Sequence, residues 1–252
     1  MQRSPTDDRT DGDYRTVADG VYRFGTRRIN WYVLETAEGV TVVDAGLPAH
    51  QAQLTRWLDD RDDCDDVGDV AALVLTHADV DHVGFASTLA DRGVPVYCHP
   101  ADLPLLRSHP DRPPTWFLRN LWRPPFFRYA IEMIRDGVRS IEAPPAAEPL
   151  ADGDVLPVPG EPRVIFAPGH TAGSCALYLE DRDVLFSGDV LATRNIFTQR
   201  EGDPQLLGAA DDDHDEASAS LDRLEGLGTV TLLPGHGDPW HGDIDAAVAQ
   251  AD

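Results

Sequence analysis

The sequence predicts an α/β fold in which sheets are covered by helices on their outer faces. Three observations predict it. Runs rich in β-branched and aromatic residues come in groups, separated by glycine or short polar turns. Stretches with helical spacing of apolar residues lie between those groups. Four of the apolar runs end on a histidine or an aspartate, three of them across a glycine.

Taken in order, residues 1–13 are polar and acidic and read as a disordered tail, with one domain expected over 14–252. VADGVYRF, INWYVLETA and GVTVVDAG follow as strands. Residues 49–59 (AHQAQLTRWLD) have helical spacing at Leu54, Trp57 and Leu58, and the acidic stretch DDRDDCDDVGD ends that helix. VAALVL is a buried strand ending at Thr76. After the loop HADVDH come a helical stretch, GFASTLADRG, and a strand, PVYCH. The second half repeats the theme. RVIFAPGH is a strand ending in a glycine turn, CALYLE and DVLFSGD are strands, and EASASLDRLEGL is a helix. TVTLLPGH is another strand with a glycine turn, and a short helix starts at Ile244.

The stretch between the halves, Pro100 to Gly160, is rich in proline and aromatic residues. Phe126, Phe127, Ala130, Ile131 and Ile134 fall at helical spacing, and Pro124-Pro125 separates them from WFLRNLW. Arg107, Arg112, Arg119, Arg123, Arg128, Arg135 and Arg139 make it locally basic. Helices packed on the core with their arginines outward are one expectation. A lid over a site, or a homodimer contact, over about residues 100–150 is the other.

Composition bounds the function. Among 252 residues, 44 are acidic and 21 basic, giving a formal charge of −23, and every basic residue is arginine. Such charge keeps a protein soluble but pushes the compact state apart. At about 1 M salt the Debye length falls to about 3 Å and the repulsion is screened. The composition resembles that of cytoplasmic proteins of extreme halophiles. It argues against a nucleic-acid partner, which requires a basic face. Cys64, Cys98 and Cys175 form no CxxC pair, so no cysteine-rich zinc site or disulfide framework is indicated. The N-terminus lacks an apolar signal segment, and no run of about 18 apolar residues would span a membrane. A cytoplasmic location is expected.

The chemistry lies at the strand ends: Thr76-His77, Gly169-His170, Gly188-Asp189 and Gly235-His236. One His-x-Asp in so acidic a chain means little. Four tips that each deliver a His or Asp are the arrangement a rigidly held metal site needs. The motifs THADVDH at 76–82, PGHTAGS at 168–174, FSGD at 186–189 and LPGHGDP at 233–239 resemble those of the metallo-β-lactamase superfamily, in order and context. VVDAG at 42–46 and the Asn30 strand resemble family features as well. The resemblance covers nearly the whole chain from about Val17 and implies an αββα sandwich with the aromatic insert between its halves. The loop departs from the family pattern at one position, where Asp79 replaces a histidine.

By resemblance, one metal ion would take His77, Asp79 and His170, and a second would take Asp81, His82 and His236, with Asp189 bridging. Asp44 and Thr171 would support the ligands from behind. The resemblance implies two divalent metal ions, with zinc expected first. An oxygen ligand at Asp79 shifts preference towards manganese or iron and raises the pKa of bound water. The implied activity is a metal-dependent hydrolysis in which a metal-bridging hydroxide attacks a small ester, lactone or thioester, with Asp81 as the catalytic proton carrier. Phosphodiester cleavage, mono-iron sulfur dioxygenation and metal-free binding are the alternatives that the same fold supports. His99 is expected to be structural, and His50, His109, His214 and His241 are expected at the surface. Arg194 and Asn195 are either substrate contacts or ordinary loop residues.

Overall fold

The computed structural model describes residues 14–61, 66–108 and 115–251. The expected tail and residues 62–65 of the acidic stretch, with Cys64, and also His109 and Arg112, lie outside the described residues.

The first sheet has seven strands in chain order: β1 (Arg15–Ala18), β2 (Val21–Gly25), β3 (Asn30–Thr36), β4 (Gly39–Val43), β5 (Ala72–Val74), β6 (Val96–Cys98) and β7 (Glu148–Pro149). Its first four strands pair antiparallel and its last four parallel. The parallel steps need crossovers, supplied by α1 (Gln51–Asp59), α2 (Ala86–Asp91) and the insert. The insert holds α3 (Leu103–Arg107), α4 (Thr115–Asn120) and α5 (Pro124–Arg135).

The second half begins with β8 (Arg163–Phe166), β9 (Cys175–Leu179) and β10 (Val184–Gly188), then β11 (Ala192–Arg194) and β12 (Glu201–Gln205), which form a small ribbon. After α6 (His214–Ser220), β13 (Thr229–Pro234) and β14 (Trp240–Asp243) complete a five-stranded sheet of order β14-β13-β10-β9-β8, and α7 (Ile244–Val248) follows.

Period-two patterning explains the layers. On β3, Tyr32 and Leu34 join Val164, Leu177, Val184 and Phe186 in the core between the sheets. Trp31 and Val33 face the other way, onto Leu54, Trp57 and Leu58 of α1 and Leu89 of α2. On β9, Leu177 and Leu179 point inward, while Ala176 and Tyr178 face the layer containing Ile244 and Ala247 of α7. The architecture is therefore the α/β, four-layer αββα arrangement. Among the described residues, no helix is long and apolar enough to cross a membrane.

The insert departs from the expected pattern at one face. Proline opens α5 at its first turn, where its missing N–H costs nothing. Phe126, Tyr129, Ala130 and Met133 are buried, and Phe126, Tyr129 and Met133 pack with Ile29, Leu47, Phe197 and Leu207. Phe127, Ile131 and Ile134 share the helical spacing but turn outward, about half exposed. Two apolar stripes run along one helix, and among the described residues only one of them is covered. The insert's described arginines are exposed apart from Arg123, whose guanidinium donates to the Phe197 carbonyl.

Candidate metal centre

Four chain segments converge at the C-terminal tips of β5, β8, β10 and β13. His77, Asp79, Asp81 and His82 follow β5, His170 follows β8, Asp189 follows β10, and His236 follows β13. Tight turns bring them together. Gly188 has φ +49°, and a Cβ there would run into Thr76. A Cβ on Gly235 would strike the Asp189 carboxylate and the His82 ring, so only glycine lets the two loops approach.

Asp189 sits at the centre. Its carboxylate oxygens lie 3.1 Å from His236 Nε2, 3.4 Å from His170 Nε2, 3.6 Å from His82 Nε2 and 4.0 Å from His77 Nε2. Two groups have ligand atoms within 4.8 Å of one another: His77, His170 and Asp189, and Asp81, His82 and His236. Asp79 borders the first, with Oδ2 3.2 Å from His170 Nε2 and 3.9 Å from His77 Nε2. Its side chain is 36 % exposed and is the most open of the seven. The structure thus brings together all seven residues singled out in the sequence.

Every imidazole is held from behind through Nδ1. His82 Nδ1 donates to Asp44 Oδ2 at 2.8 Å, and His170 Nδ1 to Asp211 Oδ1 at 3.2 Å. His236 Nδ1 donates to the Arg28 carbonyl. Thr76 Oγ1 gives its own proton to Asp44, 2.9 Å away, which leaves its lone pair to accept from His77 Nδ1 at 3.0 Å. These bonds fix the tautomer and leave all four Nε2 lone pairs aimed inward. Lone pairs aimed at a buried carboxylate repel unless a cation lies among them. His77 Nε2, His82 Nε2 and Asp189 Oδ1 are buried without any hydrogen-bond partner. Nitrogen and oxygen donors so placed suit divalent transition-metal ions.

With protons as the only cations, the cluster polarises strongly. Burial, joined by the charge of His82, pushes His77 well below its ordinary value. Burial works against charge on His82 as well, but Asp44 and Asp189 outweigh it and carry that imidazole up to about 10. His170 and His236 move up for the same reason, through Asp211, Asp79 and Asp189 for the former and chiefly Asp189 for the latter. Burial raises the Asp189 carboxyl, yet the surrounding imidazoles hold it well below the carboxylate range. Asp79 is carried down to about 2, its desolvation outweighed by His170, His77 and His82.

Asp44 and Thr171 stand behind the site, as the resemblance implies. Asp44 has φ +59°, a left-handed backbone that aims its carboxylate at both Thr76 and His82. Thr171 Oγ1 donates to Asp102 Oδ2 at 2.8 Å. Three residues were not legible in the sequence. Asp102 is buried and accepts from Ala78 N, Gly173 N and Thr171, tying the histidine loop to the PGHTAGS turn. Asp211 supports His170 from inside a run of three aspartates. Tyr129 reaches in from α5 and donates to Asp81 Oδ2 at 2.7 Å.

The remaining histidines sort differently from one another. His99 stacks on Phe166 at 4.2 Å and takes no part in the cluster. His214 and His241 are exposed, as expected. His50 corrects the expectation: it is buried, accepts from Leu47 N at 3.2 Å and lies 4.0 Å from Asp136. The polar-looking neighbourhood in the sequence is covered by α5 and the turn after it. Arg194 is buried and paired with Glu201. Asn195 accepts from Phe197 N and Thr198 N, which makes it the organiser of its own turn.

Comparison with known proteins gives the family. A model of the metallo-beta-lactamase superfamily matches residues 24–236. The chain is 28% identical over 245 residues to YflN of Bacillus subtilis (strain 168), described as a probable metallo-hydrolase, with 90% of this chain and 87% of that protein covered. Among solved structures, the metallo-beta-lactamase family protein TTHA1429 from Thermus thermophilus superposes with a TM-score of 0.67 at 28% identity, covering 93% of this chain and 79% of the other. TTHA1623, solved in a di-iron-bound form, does so with a TM-score of 0.59 at 27% identity, covering 91% and 96%. The family match runs from within β2 to the last histidine of the cluster and takes in every strand tip described above; the chain belongs to the metallo-beta-lactamase superfamily.

Proposed function

We propose that the chain is a metal-dependent hydrolase of a small ester, lactone or thioester, with two divalent metal ions held by His77, Asp79 and His170 on one side and Asp81, His82 and His236 on the other, Asp189 serving both. The observation that carries this reading is the convergence of four Nε2 atoms on one buried carboxylate, with three of those buried atoms lacking any partner. Divalent ions bound there supply Lewis-acid polarisation of the scissile carbonyl and a water acidic enough to attack near neutral pH. The protein's own part is to orient and to exclude. Asp81 is the buried carboxylate we assign to aligning the attacking water and taking its proton, and Tyr129 fixes its orientation.

Zinc is the first expectation. Asp79 adds an oxygen donor, which makes manganese or iron the alternatives, and the di-iron form of TTHA1623 lends weight to iron. Elemental analysis of protein purified in high salt without chelator tests the reading, followed by an ester, lactone and thioester panel with that metal added. Two ions per chain and turnover of one substrate class support it. A single iron would redirect it to oxygen chemistry, and no metal even after addition of excess would end it.

The remaining proposals concern the setting. The charge of −23 fits a cytoplasm of concentrated salt. The outward stripe of the insert is where we place a homodimer contact: Leu118, Trp122, Phe127, Ile131 and Ile134 stand 49–76% exposed. Light scattering of wild type beside Ile131→Glu tests it, and a monomeric wild type removes it.

A further inference from the structure

We infer that α5 is built into the second half of the centre: Tyr129 and Glu132 are positioning residues for Asp81 and His236, so the insert sets how tightly the second ion is held. The inference rests on the two-ion reading above.

Two inward-facing residues of α5, three positions apart, reach the same half of the site by separate routes. Tyr129 Oη donates to Asp81 Oδ2, the oxygen that faces His236 Nε2 at 3.5 Å. That bond occupies one lone pair of the carboxylate and stops it rotating, leaving the remaining electron pairs aimed at His236. Glu132 Oε2 pairs with Arg28 Nη1 at 2.6 Å. The carbonyl of that same Arg28 accepts the Nδ1 proton of His236, so the ion pair holds in place the backbone group that selects the histidine's tautomer. Both acidic partners are buried, Asp81 and Glu132 alike. The helix is fixed to the body independently of either contact. Phe126 is fully buried and stacks on Phe197 at 5.0 Å, and Met133 packs in the same cluster. Removal of one hydroxyl should therefore alter Asp81 without releasing the helix.

The first half is supported from elsewhere. His77 leans on Thr76 and His170 on Asp211. Thr76 is anchored in turn by Asp44, and Asp211 by Gly208 N and His214, all outside α5. A role in packing alone would weaken both ions or neither. A positioning role weakens one.

The experiment measures stepwise metal affinity by competition with a chromophoric chelator, using zinc or cobalt(II). The proteins are the full-length wild type, Tyr129→Phe, Glu132→Gln and the outward-face control Ile134→Ala. The cobalt(II) visible spectrum at one and two equivalents gives a second readout. We expect Tyr129→Phe to loosen one of the two ions by about 10–100-fold with the other unchanged. Glu132→Gln should do the same to a smaller degree, and Ile134→Ala should match wild type. Two ions bound by Tyr129→Phe and Glu132→Gln as tightly as by wild type overturn the positioning role alone. A wild type that takes up fewer than two ions overturns it together with the two-ion reading. If Tyr129→Phe fails to fold, Glu132→Gln decides by the same criterion.

Discussion

In the first half of the centre, His77 and His170 lean on side chains from the loop tips themselves, Thr76 and Asp211. In the second half, His82 leans on Asp44, but Asp81 and His236 depend on an insert helix and on the β2–β3 loop that it braces. Both halves share Asp189, and Asp44 stands behind both through Thr76 and His82; they differ in their remaining supports. Support drawn from the sandwich is as rigid as the sheets. Support drawn from the insert comes from outside the two sheets, through side chains of one helix.

The comparison breaks most completely at the shared carboxylate. Asp189→Ala should abolish both metal sites and bring hydrolysis to the uncatalysed background, while the circular dichroism spectrum stays that of the wild type. Retention of one ion with measurable affinity would show that the halves are separate. The next largest effect falls on Asp102, which joins two loops of the first half through three donors. Asp102→Asn turns one buried acceptor into a donor facing donors and should cost roughly 3 kcal/mol, read as a lower denaturant midpoint at unchanged slope.

Smaller effects sharpen the contrast. Asp211→Asn and Asp44→Asn should each weaken metal binding by about 10–100-fold, the first through His170 and the second chiefly through His82. The double variant should be additive if the halves are independent. The smallest effect concerns His50, whose burial lowers its pKa against the pull of Asp136. Above its ordinary value of about 6.5 the ring is neutral whether folded or unfolded, so it contributes nothing to the slope. Below that value the unfolded chain takes a proton that the folded one resists, and stability falls with pH, by at most about 1.4 kcal/mol per pH unit. Between pH 7 and 5, metal-free wild type should therefore lose melting temperature faster than metal-free His50→Gln. Parallel slopes would remove His50 as the cause.

The parts of the molecule that the sequence made legible are those governed by short-range rules. The strand runs INWYVLETA and CALYLE, the helical spacing of Leu54, Trp57 and Leu58, and the break at Pro124-Pro125 all appear where they were expected. The seven candidate residues stood out because each sits at a strand tip or in one loop, where a local pattern resembling the family motifs marks it. The faces of α5 were not. Its two apolar stripes look alike in one dimension, and contact with Ile29, Leu47 and Phe197 selects one of them. His50 was misplaced for a similar reason, since the residues that cover it lie far along the chain.

By itself, the sequence determined the order of the elements and the residues delivered to the strand tips, because periodicity and turn chemistry act over a few residues. Tertiary structure alone decided what holds those residues in place. Tyr129 meets Asp81 across 48 positions, and Asp102 meets Thr171 across 69. In a chain with 44 acidic residues, nothing local separates the aspartate that accepts three hydrogen bonds from one that faces water. That distinction is made by burial and by donors brought from elsewhere, which exist only once the sheets have packed.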